Sequence, residues 1–241
     1  MANSHYLEGN IGLNIARGLV KGSDFIHKFG AVPAMSQNQT GTIWDKNDTV
    51  YPWSAFNTAG ILVAAQANVS DNAKTVTVMG LDADYLPISE EFTLSSTGTV
   101  NGTKIFKRVY RAFMTDGSNV GNVSFSRGGT EVHRITAAKS QTLMAIYTVP
   151  AGYTAYMMKG TCTCQQGADA TGDMFVRYYG QSSFRVGHSF EVSGAGGQYL
   201  YEFFTPIPIP EKSDIDIRAT VRSNNARITA AFDLILVETG V

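Results

Sequence analysis

The sequence has few of the residues that build catalytic or metal sites. Its 241 residues include two cysteines and four histidines, and the histidines are scattered: His5, His27, His133 and His188. No HExxH, GxSxG or GxxxxGK[ST] motif occurs. Because catalysis needs chemical groups that converge, the sequence predicts a protein that is not an enzyme and that holds no cofactor or metal.

The two cysteines, Cys162 and Cys164, are too close in sequence for an unstrained disulfide. A cysteine that is not paired behaves as a small apolar residue in a protein core. We therefore predict two small buried thiols at these positions rather than a disulfide or a metal pair.

A large net charge and a long apolar run are also missing. The formal net charge is −1, and a cut after Thr130 leaves ten basic and ten acidic residues before it and nine and ten after it. Nucleic acid is therefore not expected as the main partner. No apolar run has the length of a membrane span, and residues 1–30 lack the pattern of a signal peptide. We expect no membrane partner, and synthesis in a cytoplasm.

Short alternating segments separated by turn residues dominate the rest of the chain. Such a pattern, with 24 glycines and 44% hydrophobic residues, predicts an all-β protein. We expect an N-terminal arm over residues 1–35, a β-sandwich-like domain over 36–130 and a second, jelly-roll-like sandwich over 131–241. Two hairpins are expected in the second sandwich, one turning at Pro150 and one turning at Asn224.

The predicted arm contains apolar side chains among many glycines. Ile11, Ile15 and Leu19 recur at helical spacing, and Phe25 and Phe29 follow. A short helix is expected near Ile11–Leu19, weakened by its glycines. Because these side chains need cover, the arm is expected to pack on its own subunit or on a neighbouring one, and these five residues are candidate interface residues.

Aromatic residues crowd the segment from Tyr178 to Phe204. Tyr199, Tyr201 and Phe203 alternate with Leu200 and Phe204, so the two sets face opposite sides of a strand. We expect one side to fill the sandwich and the other to be covered, either by a second subunit or by the rest of the chain. Tyr199, Tyr201 and Phe203 are therefore further interface candidates.

The clearest basic cluster comprises Lys104, Lys107, Arg108 and Arg111. It is compatible with a phosphate, with an acidic neighbour, or with the solvated face of a strand, and the last reading is the simplest.

The order of several segments resembles virion structural proteins of tailed bacteriophages, especially marine and cyanobacterial ones. The segments are Phe25–Pro33, Thr42–Asp45, Tyr51–Trp53, Val76–Asp84, Gln141–Gly152 and Phe232–Val237. They are structural turns and strands, so the resemblance transfers no functional residues.

The resemblance implies a multi-copy component of a virion that is made in the host cytoplasm. We expect a homo-oligomer that contacts other virion proteins, and a decoration or cementing role on the capsid surface. A neck, tail or fibre-attachment protein is the alternative within the particle. A host-glycan binding module is the alternative of a different class, since sandwich loops often carry such sites.

Overall fold

A computed structural model describes residues 10–194 and 197–240. Its regular structure is almost entirely strand, which confirms the all-β prediction. Within these residues one α-helix, α1 (Ile11–Ala16), precedes the strands, and short 3-10 turns lie at Trp53–Phe56 and Val69–Asp71. The first nine residues of the predicted arm lie outside the described residues. The strands are β1 (Ser23–Met35), β2 (Thr40–Thr42), β3 (Val63–Gln66), β4 (Thr75–Leu81), β5 (Pro87–Thr93), β6 (Val100–Asn101), β7 (Arg108–Met114), β8 (Val123–Arg127), β9 (Thr130–Ile135), β10 (Ile146–Thr148), β11 (Tyr153–Cys164), β12 (Ala170–Arg177), β13 (Arg185–Val192), β14 (Gln198–Ile209), β15 (Asp214–Val221) and β16 (Ala226–Glu238).

Strands from both ends of the described chain form a jelly roll. Sheet 1 has the order β1-β16-β11-β14, and sheet 2 has the order β10-β15-β12-β13. β2 pairs with the same edge of β15 as β10 does, but further along that strand. From β10 to β16 every connection crosses between the sheets except the one from β12 to β13. This is the jelly-roll arrangement, with β2 and β10 sharing one strand position, and it confirms that part of the predicted fold.

The residues between β2 and β10 form a second sandwich, here called the inserted sandwich. Its sheets are sheet 3, in the order β6-β3-β8-β9, and sheet 4, in the order β5-β4-β7. The core of this sandwich is rich in aromatic residues, all buried: Trp44, Tyr51, Trp53, Phe56, Phe92, Phe106 and Phe125. The inserted sandwich therefore interrupts the jelly roll at a single strand position.

This arrangement differs from the sequential domains expected from sequence. Residues 23–35 of the expected arm form β1, which pairs with β16 from Ser23↔Val237 to Met35↔Ala226. Residues 40–42, expected in the first domain, pair with β15 as β2, while β9 at Thr130–Ile135 completes sheet 3. Pairing between the two ends of a chain leaves no local signal, so sequence patterns assign such strands to their neighbours in sequence.

Both expected hairpins in the second sandwich are wrong. The turn at Pro150 joins β10 in sheet 2 to β11 in sheet 1, and the turn at Asn224 joins β15 in sheet 2 to β16 in sheet 1. Each strand buries every second residue in the shared core. This holds whether the next strand in sequence pairs with it in the same sheet or faces it from the other sheet. Alternation therefore predicts the strand but not the sheet to which it belongs.

The inserted sandwich packs on the outer side of sheet 2. Asp214 and Asp216, on the polar side of β15, are both buried at this junction. Trp53 Nε1 donates to Asp216 Oδ2 at 2.9 Å. On β1 of sheet 1, Gly30 lies so close to the backbone of Ile43 and Ala145 that a β-carbon there would be 2.3 Å from each. The junction is therefore tightly packed and strongly polar.

Candidate functional surface

The outer face of sheet 1 is the side turned away from the jelly-roll core. Its central row crosses all four strands in register, joining His27, Asp233, Lys159 and Glu202. His27 Nδ1 lies 2.5 Å from Asp233 Oδ1, and Lys159 Nζ lies 3.1 Å from Asp233 Oδ2. Side-chain pairs directly opposite each other on neighbouring strands stabilise a sheet, so the contacts of Asp233 with His27 and Lys159 join β16 to β1 and to β11.

Apolar rows flank the charged row. Phe29, Ala231, Thr161 and Leu200 share one register row, and Phe25 is paired with Ile235 on the other side. Phe25 and Phe29 keep 41% and 38% of their surface exposed, and Leu200 keeps 57%. The outer face of sheet 1 is therefore an apolar surface with a charged row across its middle.

Helix α1 covers part of this face. The helix begins after Asn10, whose side chain accepts a hydrogen bond from the backbone of Leu13 at 3.0 Å. Ile15 is buried, Leu19 is half-buried, and Ile11 remains 55% exposed. A groove of about 550 Å³ lies between the helix and sheet 1, with Phe25 and Ile15 among its lining. The arm candidates thus lie on their own subunit, with Ile11 and Phe25 still open to solvent.

Tyr199, Tyr201 and Phe203 face the space between the two sheets rather than the outer face. They surround His188 of β13, with ring centroids of His188 and Tyr201 4.8 Å apart and those of Tyr201 and Phe203 4.7 Å apart. His188 Nε2 is also hydrogen-bonded to the Tyr199 hydroxyl. This aromatic group closes the open side of the jelly roll between β13 and β14.

The opposite side of β14 presents two apolar residues that were not among the candidates from sequence. Leu200 and Phe204 point outward, and Phe204 is fully exposed at 103% of its reference surface. β14 is also an edge strand of sheet 1, so no other strand among the described residues pairs with its outer backbone groups. The alternation of Leu200 and Phe204 with the tyrosines was visible in sequence, but the direction of each set was not.

Buried titratable groups with shifted pKa values also occur among the described residues. Burial, with the nearby charge of Arg111, lowers the pKa of Lys28 to about 7, and its ammonium donates to the Tyr110 carbonyl. Burial also raises the pKa of Asp45 to about 7 and lowers that of His133 to about 3. Asp45 accepts a hydrogen bond from the Leu143 backbone, so its role is to join chain segments.

The described ranges contain neither a group of metal ligands nor a disulfide between the two cysteines. No group of three or more His, Cys, Asp or Glu side chains there could hold a metal ion. Both cysteines are buried and unpaired, as predicted, and burial raises the pKa of Cys162 to about 12. A thiol with such a pKa is protonated and unreactive at neutral pH.

No helix within the part of the chain that the structure describes is long and apolar enough to cross a membrane.

Comparison with known proteins gives no family. No family model matches the chain, and no curated protein matches it. Among solved structures, the top component of cowpea mosaic virus, a naturally occurring empty particle, is 8% identical with a TM-score of 0.24, covering 76% of this chain and 85% of that one. The VP2 subviral particle of infectious bursal disease virus is 9% identical with a TM-score of 0.23, covering 91% and 68%. Both are proteins of virus particles, but likeness at these scores supports no functional conclusion.

Proposed function

We propose that this chain is a structural component of a virion that works by assembling with copies of itself and with other virion proteins. The observation that carries the proposal is the position of β14 at the edge of sheet 1 among the described strands, where Leu200 and Phe204 lie exposed. In this proposal its role is mechanical rather than catalytic, in line with the scattered histidines and the missing catalytic motifs of the sequence.

An exposed edge strand with apolar side chains is a template for pairing with another chain. Proteins that stay monomeric protect such edges with charges, bulges or prolines. In β14 the prolines, Pro206 and Pro208, are confined to the second half, and Gln198–Thr205 has none; this segment carries one charge, at Glu202, and its register with β11 is irregular after that residue. Antiparallel pairing of this segment with the same segment of a second copy would extend sheet 1 across two subunits and cover Leu200 and Phe204.

The particle in this proposal is that of a tailed bacteriophage, and the position is the outer capsid surface, as a decoration or cementing protein. Two observations support the choice of a virion protein, and neither bears on the position within the particle: the resemblance of the ordered segments described above, and the jelly roll itself, a fold that is frequent in capsid domains and also in lectins. Fold alone does not assign function, so the preference for a virion protein over a glycan-binding module rests on the sequence resemblance.

The assembly step is tested with the double variant Leu200→Arg and Phe204→Arg. Two cations on the β14 edge should prevent pairing through repulsion and desolvation, so sedimentation velocity should change from an oligomer to a 26.0 kDa monomer. Val69→Arg is the matched control, because Val69 is 73% exposed but lies in the inserted sandwich away from β14. A wild-type chain that is monomeric at high concentration, or a double variant that assembles like it, would contradict the proposal.

The position on the particle is tested separately by electron microscopy of virions in which this chain carries a gold-binding tag. Label spread over the capsid lattice supports a decoration or cementing role. Label at one vertex or along the tail would instead assign a neck, tail or fibre-attachment role.

A further inference from the structure

Four cationic side chains line a cavity of about 170 Å³ at the junction of the two sandwiches. Lys107 and Arg108 come from the inserted sandwich, and Arg177 and Lys212 come from the jelly roll. Asp214 is the only carboxylate among the described residues that line the cavity. Positive charge is therefore in excess, although the chain as a whole has a formal net charge of −1.

Asp214 holds the two arginines of the cavity in place. Arg108 Nε and Nη2 donate to the two carboxylate oxygens of Asp214 at 2.7 and 3.0 Å, and its Nη1 faces backbone carbonyls. Arg177 Nε and Nη2 donate to Asp214 Oδ2 at 3.0 and 2.5 Å. Among the described residues, Nη1 of Arg177 has no hydrogen-bond partner. One carboxylate is thus shared by two guanidinium groups, and it cannot neutralise both.

The two lysines keep most of their hydrogen-bonding capacity. An ammonium group has three donors. Lys107 Nζ donates to the Asn57 carbonyl at 2.8 Å, and Lys212 Nζ lies 5.2 Å from the centre of the Tyr179 ring. Within the described part of the chain neither lysine has a carboxylate partner, so both retain donors and charge for a ligand.

The surroundings of Lys107 disfavour its charged form. Burial is the largest cause of its lowered pKa, the charge of Arg108 lowers the pKa further, Asp214 raises it, and Arg177 lowers it. An anion in the cavity would stabilise the charged form of Lys107 and reduce the mutual repulsion of the cations.

We propose that this cavity binds a small oxyanion, phosphate or sulfate, held by Lys107, Lys212 and Arg177. Its volume is far above the roughly 10–15 Å³ that one water needs. Tyr85 and Tyr179, with ring centroids 5.7 Å apart, form an aromatic wall. Since the cations come from both sandwiches, the bound ion would tie the inserted sandwich to the jelly roll. This site is separate from the β14 edge and does not depend on assembly.

The test is isothermal titration calorimetry of the intact chain with inorganic phosphate and with sulfate, at an ionic strength held constant with chloride. We expect saturable binding, weakened about tenfold or more in the double variant Lys107→Gln and Lys212→Gln, since each substitution removes a charged hydrogen-bond donor to the anion. Lys104→Gln is the matched control, because Lys104 is exposed, donates to the Ser89 carbonyl and lies outside the cavity. Its affinity should equal that of the wild type. Circular dichroism verifies folding, and Lys212→Gln alone serves if the double variant does not fold.

A parallel titration with glucose 6-phosphate distinguishes the source of the anion. Tighter binding than inorganic phosphate assigns the site to a phosphate ester whose sugar packs on the tyrosine wall, and equal or weaker binding assigns it to the free ion. The proposal is overturned if none of the three ligands binds saturably, or if the double variant binds them as tightly as the wild type.

Discussion

Arg108 of the inserted sandwich and Asp214 of the jelly roll form a buried two-point ion pair across the junction. Nε and Nη2 of the arginine meet the two carboxylate oxygens at 2.7 and 3.0 Å, and both side chains are almost fully buried. Asp214 also accepts hydrogen bonds from Arg177 and from the Thr148 hydroxyl. A single carboxylate of β15 therefore holds β7 of the inserted sandwich against β10 and β12 of the jelly roll.

Replacing Asp214 with asparagine should destabilise the protein by about 3–5 kcal/mol, because two buried guanidinium groups lose their counter-charge. Urea unfolding followed by tryptophan fluorescence measures the loss, since Trp53 lies at the same junction. Lys159→Met is the control: it removes a half-exposed ion pair on sheet 1 and should cost about 0–1 kcal/mol. Equal losses in the two variants would show that the junction pair has no special role.

His133 should make stability depend on pH in the acid range. Its ring is fully buried beside Phe125, and burial, with the charge of Lys28, lowers its pKa to about 3. Between pH 6.5 and 3 the unfolded chain binds a proton at this histidine and the folded chain does not. Stability is therefore lost as pH falls, by about 1.4 kcal/mol per pH unit from this group.

The measurement compares wild type with His133→Leu by urea unfolding between pH 7 and 4. The variant should lose less stability over this range than the wild type. Phe125→Leu, which disturbs the same packing without removing a titratable group, should shift stability by a similar amount at every pH. A wild-type slope retained in His133→Leu would mean that other groups cause the acid sensitivity.

Deleting residues 1–22 should leave both sandwiches folded, because β1 begins at Ser23. The cost should be about 1.5–3 kcal/mol, the value for burying one large aliphatic side chain, here Ile15. Circular dichroism should stay nearly unchanged while thermal unfolding moves to a lower temperature. Deleting residues 1–35 is the contrasting variant: it removes β1 from the edge of sheet 1 and should unfold the jelly roll. If both deletions lower the unfolding temperature equally, the start of β1 at Ser23 does not separate the residues that the fold needs from those that it does not need.

Several features followed from local sequence alone. Ile215, Ile217, Ala219 and Val221 alternate with polar residues in the sequence, which predicts a strand with one apolar side, and all four are buried in β15. The close spacing of Cys162 and Cys164 predicted two buried thiols without a disulfide, and both are buried and unpaired. The strand prediction succeeds because a strand alternates with period two whatever it packs against.

The tertiary structure decided the rest. Asp214 and Asp216 look in sequence like the solvated side of β15, yet the inserted sandwich covers them and supplies Arg108 and Trp53 as partners. Likewise Lys107 was read as part of a solvated strand face, and only the packing of two sandwiches places it in one cavity with Lys212. Alternation reports that a residue faces away from one core. It carries no information about a second layer that comes from a distant part of the chain, because that contact depends on topology and not on local periodicity.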